Sequence, residues 1–183
     1  MLIDSKNILL DPNPILHTKA QEVDLPLSEQ NKQILNDMLQ YVRNSQDDAF
    51  CKEHNVKASV GIAAPQIGIS KKMLAISISS EEKKTEFALV NPKIIANSTQ
   101  KCCLENGESC LSVDPDVEGI VLRYYKIKVQ AYNLINEREE IISLKGYPAI
   151  VMQHEIDHLY GLLYFDHINK KNPWYIPENT ITI

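Results

Sequence analysis

The sequence predicts an α+β fold in which antiparallel β-sheets pack around a buried helix near the C-terminus. Three observations predict it. Between residues 72 and 144, short runs of β-forming residues are joined by connections too short for helical crossovers, so neighbouring strands should pair antiparallel. From Ala149 to Leu159 apolar residues lie on nearly every side of a helical spiral, the pattern of a helix enclosed by protein. At residues 28–45 a single apolar stripe marks a surface helix with one face turned inward. With 183 residues, 44% of them apolar, and no repeat, low-complexity segment or linker, the chain should form one domain spanning residues 1–183.

Taken in order, residues 7–27 carry Pro12, Pro14 and Pro26 and read as an extended lead-in with a brief helix near 15–20. Ser28 is a suitable N-cap, Glu29 suits the first turn, and Ile34, Leu35, Met38, Leu39 and Val42 follow at helical spacing. The polar stretch 46–57 reads as a surface connection. Cys51 and His54 lie in it, too isolated to suggest a metal site. Strands are expected at 73–78, 87–91, 93–96, 119–123, 127–132 and 140–144, punctuated by Asn91-Pro92, Asn97-Ser98 and Asn136-Glu137. Pro148 sits near a first helical position, Gly161 should end that helix, and the tail ends in a β-like Ile-Thr-Ile.

Charge and cysteine usage narrow the function. The net charge is −5 and the 19 basic residues form no dense run, so no nucleic-acid footprint is expected. Residues 1–6 show no basic stretch leading into a long apolar run, and nothing approaches the length of a membrane span. Cys51, Cys102, Cys103 and Cys110 form no CxxC pair, which fits a reducing, cytoplasmic compartment.

The chemistry concentrates at His154-Glu155-Ile156-Asp157-His158. Two histidines four residues apart share one helix face, so their ring nitrogens can converge on one metal ion. Glu155 projects beside that ion as a general base. A catalytic site needs a third protein ligand and an open position. The metzincin spacing would demand histidine at 164, where the chain has Tyr164; the alternative downstream glutamate is Glu178, in the proline-bearing tail. Upstream, Glu108-Ser109-Cys110-Leu111-Ser112 offers a thiol in a turn-forming segment, and a cysteine with two histidines makes a softer site than three nitrogens. A further stretch, Ser59-Val60-Gly61-Ile62-Ala63-Ala64-Pro65-Gln66, has almost no side-chain bulk. It reads either as a tight turn packed under a helix or as backbone that a ligand can approach closely, with Gln66 able to direct hydrogen bonds.

These three stretches, in this order, resemble the peptide deformylases, whose motifs are G-x-G-x-A-A-x-Q, E-G-C-L-S and H-E-x-D-H. The resemblance spans residues 10–170. Ser59 and Ser109 depart from it, each standing where glycine is usual, and Ser109 is expected to shape the substrate groove. The stretches at 46–57 and 101–107 look like insertions of the larger bacterial subclass.

The resemblance implies removal of the formyl group from N-formylmethionyl nascent polypeptides. It implies Cys110, His154 and His158 as ligands of one divalent metal ion, with Fe(II) expected in the cell and zinc, nickel or cobalt able to substitute. Glu155 would be the general base, while the Gln66 side chain and Leu111 N–H would stabilise the oxyanion. Val60, Gly61 and Ile62 would pair with the substrate backbone, and Tyr147, Ile150 and Val151 would line a methionine pocket. Glu108 would orient the Cys110 segment by pairing with Arg123. A ribosome contact is a further expectation, although Pro173 and Pro177 do not suit the long C-terminal helix that one subclass uses for it. Two rival readings remain: an HExxH metallopeptidase independent of Cys110, and a catalytically silent metal- or peptide-binding module.

Overall fold

Helix α1 (Glu29–Asn44) starts where its sequence signals: the Ser28 hydroxyl accepts the Asn31 N–H at 3.3 Å. Leu35, Met38, Leu39 and Val42 are buried along one face, as their spacing requires. The structure is a computed structural model that describes residues 3–54, 56–79 and 84–183. Met1, Leu2 and Asn55, which belong to the N-terminal and 46–57 readings, lie outside those ranges.

Stretch 46–57 is not a plain connection. It carries a short helix α2 (Asp48–His54), whose start is capped by Asp47 Oδ1 accepting from Ala49 N and Phe50 N at 2.8 and 3.0 Å. His54 packs on Phe50 one turn away, with ring centroids 4.2 Å apart, and Cys51 Sγ donates to Ser45 O. The brief helix expected near 15–20 is a 3₁₀ turn, Pro14–His17.

Among the described residues eight strands follow: β1 (Gly61–Ala63), β2 (Met73–Ser79), β3 (Lys84–Asn97), β4 (Lys101–Cys103), β5 (Arg123–Tyr124), β6 (Lys126–Asn133), β7 (Arg138–Lys145) and β8 (Ile181–Thr182). They form an antiparallel five-stranded sheet in the order β1-β2-β3-β6-β7 and a small sheet in the order β5-β4-β8. In the small sheet β8 runs parallel to β4, an exception to the antiparallel rule expected for the sheets.

Two expected strands, 87–91 and 93–96, are one long strand. Pro92 has no N–H to donate, and the ladder shifts register between Val90 and Lys93 instead of ending. Asn91 takes φ 51° there and its amide is bound on both sides to Val23, at 2.9 and 2.8 Å. The strand expected at 119–123 shrinks to Arg123–Tyr124. Ahead of it, Ile120 N–H donates to Pro173 O rather than to a ladder.

The main sheet lies between two helices. On β2, Met73 and Ala75 face the cluster that includes Leu35 and Met38 of α1. Leu74, Ile76 and Ile78 face the cluster containing Met152, Ile156 and Leu159 of α3 (Tyr147–Leu159). Alternate side chains of one strand are thus buried on both faces, which explains its nearly continuous apolar run. Strand β1 lies at the free edge of this sheet, beside α3.

Arg43 of α1 anchors that helix to the sheet by two bonds to the Glu86 carboxylate, at 2.8 and 2.7 Å, and Ser77 and Lys84 also donate to Glu86. The Arg43 hydrogen bond comes first among the causes that hold the Glu86 pKa down at about 2, against an ordinary 4.5. A carboxylate with a lowered folded pKa stabilises the fold above its unfolded pKa and loses that contribution as pH falls through its folded pKa. Wild type should therefore lose stability between pH 4.5 and about 2 more steeply than Glu86→Gln, as read by thermal-unfolding midpoints across that window.

Candidate active site

Helix α3 carries the site because of how it is held. Gly146 precedes it at φ 63°, Pro148 occupies its first turn, and Gly161 follows its end at φ 74°, as expected of a terminating glycine. A side chain at 161 would collide with the His17 backbone, with a Cβ only 2.7 Å from its carbonyl carbon. Gln153 fixes the helix to β5 by behaving like a strand neighbour: its amide accepts from Tyr124 N and donates to Tyr124 O, both at 2.9 Å. This brings Arg123 against the polar face of the helix.

Cys110, His154 and His158 each offer a ligand atom, and the three atoms lie within 4.8 Å of one another. Cys110 Sγ is 3.4 Å from His158 Nε2. His154 directs Nδ1 at Glu108 Oε2, 2.8 Å away, which leaves Nε2 for a metal. Burial pulls the His154 pKa down, but hydrogen bonding to Cys110 and Glu108 raises it well above its ordinary value. His158 is lowered well below its ordinary value by burial and by the neighbouring His154. Soft sulfur with two imidazoles is a donor set that suits a divalent transition metal.

The Glu108 anchor is a buried ion pair. Arg123 grips both carboxylate oxygens at 2.8 and 2.9 Å, and both side chains are 4% exposed. Burial opposes ionisation of Glu108, yet the bonds from Arg123 and His154 hold its pKa at about 2. The pairing expected between Glu108 and Arg123 is therefore present. Arg123 also bonds Asp157, which in turn contacts His167 Nε2 at 2.8 Å. Asp157 and His167 escaped the sequence reading. Asp157 stood inside the motif without an assigned role, and His167 lies ten residues further on with no spacing signal.

Glu155 is buried beside the ligands. Burial pushes its pKa up to about 7, and its Oε2 has no hydrogen-bond partner among the described residues. The carboxylate lies against Gly61 of β1: a Cβ there would come 2.8 Å from Glu155 Cδ and 2.9 Å from Cγ. The bare stretch at 59–66 thus admits a side chain of the protein itself. Gln66 Oε1 accepts the Ala63 N–H at 2.8 Å, which turns its NH2 group towards Cys110 Sγ at 3.5 Å and Ser112 Oγ at 3.2 Å. Ser112, fully buried, is a further site residue the sequence reading passed over. Tyr164, at the position a metzincin would give to histidine, stacks on the His154 ring at a centroid distance of 6.1 Å.

A cavity of about 350 Å³ opens in front of these groups. Val60, Gly61, Ser109, Leu111, Tyr147, Ile150 and Val151 line it together with Gln66, Cys110, His154 and Glu155. Ile62, expected to bind substrate, does not reach it. Its side chain is fully buried in the core that faces α1, as strand alternation after Gly61 requires. Its peptide groups are also turned away. Ser77 N donates to Val60 O, and Gly61, Ile62 and Ala63 pair with Ile76, Ala75 and Leu74. Hydrogen-bonded and non-bonded pairs alternate, so the N–H and C=O of Ile62 face β2, whereas those of Gly61 face outward.

A buried His-Glu-x-x-His helix, a thiol completing its ligand set and a carboxylate at a cavity wall define a metal-dependent hydrolase class of site. Within that class the chain belongs to the polypeptide deformylase family, whose model matches residues 5–174. It is 46% identical to the peptide deformylase of Oceanobacillus iheyensis, over the full length of both chains. It is 45% identical to peptide deformylase 2 of Bacillus subtilis, over 100% of this chain and 99% of that one. Among solved structures, the peptide deformylase of Ehrlichia chaffeensis aligns with a TM-score of 0.75 at 26% identity, covering 93% of this chain and 90% of the other. Arabidopsis thaliana peptide deformylase 1B, in complex with an inhibitor, aligns at 0.72 and 29% identity, covering 90% and 82%. Among the described residues no helix is long and apolar enough to cross a membrane.

Because His154 is oriented through Glu108, Glu108→Gln should weaken metal binding about 10- to 100-fold. Competition against a chelator measures this. Circular dichroism run in parallel separates it from loss of fold.

Proposed function

We propose that the protein removes the formyl group from N-formylmethionyl peptides, releasing formate and a free amino terminus. One catalytic domain spanning residues 1–183 would perform the reaction. The observation that carries this reading is the buried Oε2 of Glu155, without a hydrogen-bond partner among the described residues and set beside the Cys110–His154–His158 ligand set at the cavity wall. A divalent ion held by those three residues would acidify a water and polarise the formyl carbonyl.

Glu155 accepts the water's proton as the carbonyl carbon is attacked and returns it to the leaving nitrogen, so the reaction consumes one water per formamide. The Gln66 amide and the Leu111 N–H donate to the carbonyl oxygen as it gains negative charge. Ala63 N–H already holds the other end of Gln66, so its NH2 group need only exchange its contact with Cys110 Sγ or Ser112 Oγ for the carbonyl oxygen. Val60, Leu111, Tyr147, Ile150 and Val151 give the cavity an apolar wall for the methionine side chain, and Ser109 stands at its exposed rim. Gly61 offers outward peptide groups for the substrate backbone. Glu108 and Arg123 act on the ligands and leave the substrate alone.

Fe(II) is the metal proposed for the cell, with zinc, nickel or cobalt as substitutes, and the setting proposed is the cytoplasm, on nascent chains at the ribosome. A metallopeptidase that ignored Cys110 is disfavoured by the thiol's place among the ligand atoms.

The deciding assay is formate release from a formyl-Met peptide by metal-loaded protein. Glu155→Ala should lower kcat by about 10²- to 10⁴-fold and Gln66→Ala by about 10²- to 10³-fold. Cys110→Ser should lose metal as well as rate. Absence of formate from the loaded wild type would overturn the reading, and peptide-bond cleavage surviving Cys110→Ser would favour the peptidase. An iron-loaded preparation should lose activity in air, whereas one loaded with redox-inert zinc should not.

A further inference from the structure

Among the outward groups of β1, those of Gly61 are already engaged. The pairing of Val60 with Ser77 leaves Gly61 as a non-bonded position opposite Ile76, so its N–H and C=O point off the sheet edge. The Ser59 hydroxyl sits in front of both. It accepts the Gly61 N–H at 3.2 Å and donates to the Gly61 C=O at 2.5 Å. Ser59 is itself held from behind: Ser45 Oγ, fully buried, accepts Ser59 N–H and donates to Ser59 O, each at 3.1 Å. Gln46 Nε2 adds a bond to Ser59 O at 3.4 Å. Both Ser59 and Gly61 line the cavity.

We infer that Ser59 is a specificity-determining residue whose hydroxyl occupies the hydrogen-bonding edge of Gly61 in place of an extended peptide. This rests on the deformylase reading and deepens it. A substrate strand added to β1 must take over one or both Gly61 groups, because an edge strand binds a peptide through its outward N–H and C=O. The hydroxyl satisfies those groups while the cavity holds no peptide, and each bond must be exchanged when a peptide binds. A hydroxyl competing for a donor and an acceptor weakens binding without touching the reacting carbon. Its influence falls on KM. The formylated residue sits at the metal ligands, so a substrate that ends there makes little use of the edge and escapes the competition.

The test compares wild type, Ser59→Ala and Ser59→Thr on formyl-Met-Ala-Ser and on formyl-methionine, by formate release. Exchange of one hydrogen bond corresponds to about a three- to tenfold change. Ser59→Ala should lower KM for the tripeptide by that factor, with kcat unchanged and KM for formyl-methionine unchanged. Ser59→Thr, which keeps the hydroxyl, should behave like wild type. Calorimetric binding of the product Met-Ala-Ser to the nickel-loaded protein supplies a readout independent of turnover, and Ser59→Ala should bind it tighter by the same factor. An unchanged or raised KM and Kd in Ser59→Ala would overturn the inference while leaving the deformylase reading intact. An altered kcat would overturn it too, since the hydroxyl would then act on the chemistry. Failure of wild type to release formate would sink the deformylase reading instead, and the calorimetry would still decide the role of Ser59.

Discussion

The arrangement depends on one buried cation. Arg123 is 4% exposed and holds the Glu108 carboxylate by two bonds while also bonding Asp157. Three segments distant in sequence meet there: the turn carrying Cys110, the short strand β5 and helix α3. Charges of this kind are expensive to remove from water, and removing one partner strands the others. The cluster is therefore weak evidence of net stability, and what the geometry shows is positional. It admits one relative placement of thiol and histidines, and the ligand atoms converge because this placement is enforced.

Around that cluster the fold supplies rigidity in layers. The main sheet is filled on both faces, by α1 on one side and α3 on the other, so the strand next to β1 can hardly shift. β1 itself is only three residues long and lies at the sheet edge, where the Gly61 peptide groups point off the sheet towards the Ser59 hydroxyl. A stiff sheet with one open edge beside a buried catalytic helix reconciles two demands. The candidate reacting groups sit on packed elements, and the peptide edge proposed to receive a substrate is left at the cavity.

Much of this was legible in the sequence, because the signals were local or periodic. The helical spacing in α1, the run in β2 that is apolar on both faces and the His154–His158 interval each translate directly into geometry. The Glu108–Arg123 pair was an expectation that came with the deformylase resemblance, not one that any local spacing carried. What was not legible depended on contacts between distant segments. Nothing near Asp157 announces Arg123 or His167, and nothing in the tail announces that β8 will lie parallel to β4. The single strand running through Asn91-Pro92 was hidden because the dipeptide is an ordinary turn signal; here Asn91's bonds to Val23 and the register shift carry the strand across it. Ile62 was misplaced for a simpler reason. Its side chain turns into the core that faces α1 and its peptide groups pair with β2, neither of which its place beside Gly61 reveals.

The contact between Gly61 and Glu155 has a consequence for how such a chain can change over time. A side chain at 61 would overlap the carboxylate as it stands, so either glycine is kept or Glu155 must swing aside, a demand set by a group 94 positions away. That demand lasts only as long as the carboxylate does. A descendant that exchanged Glu155 for a small residue would free position 61 to accumulate side chains, and a mutation at 61 that arose first would push the carboxylate from the place its proposed role requires. The two positions should therefore co-vary, and a filled position 61 would mark a lineage that has retired the chemistry and kept the fold.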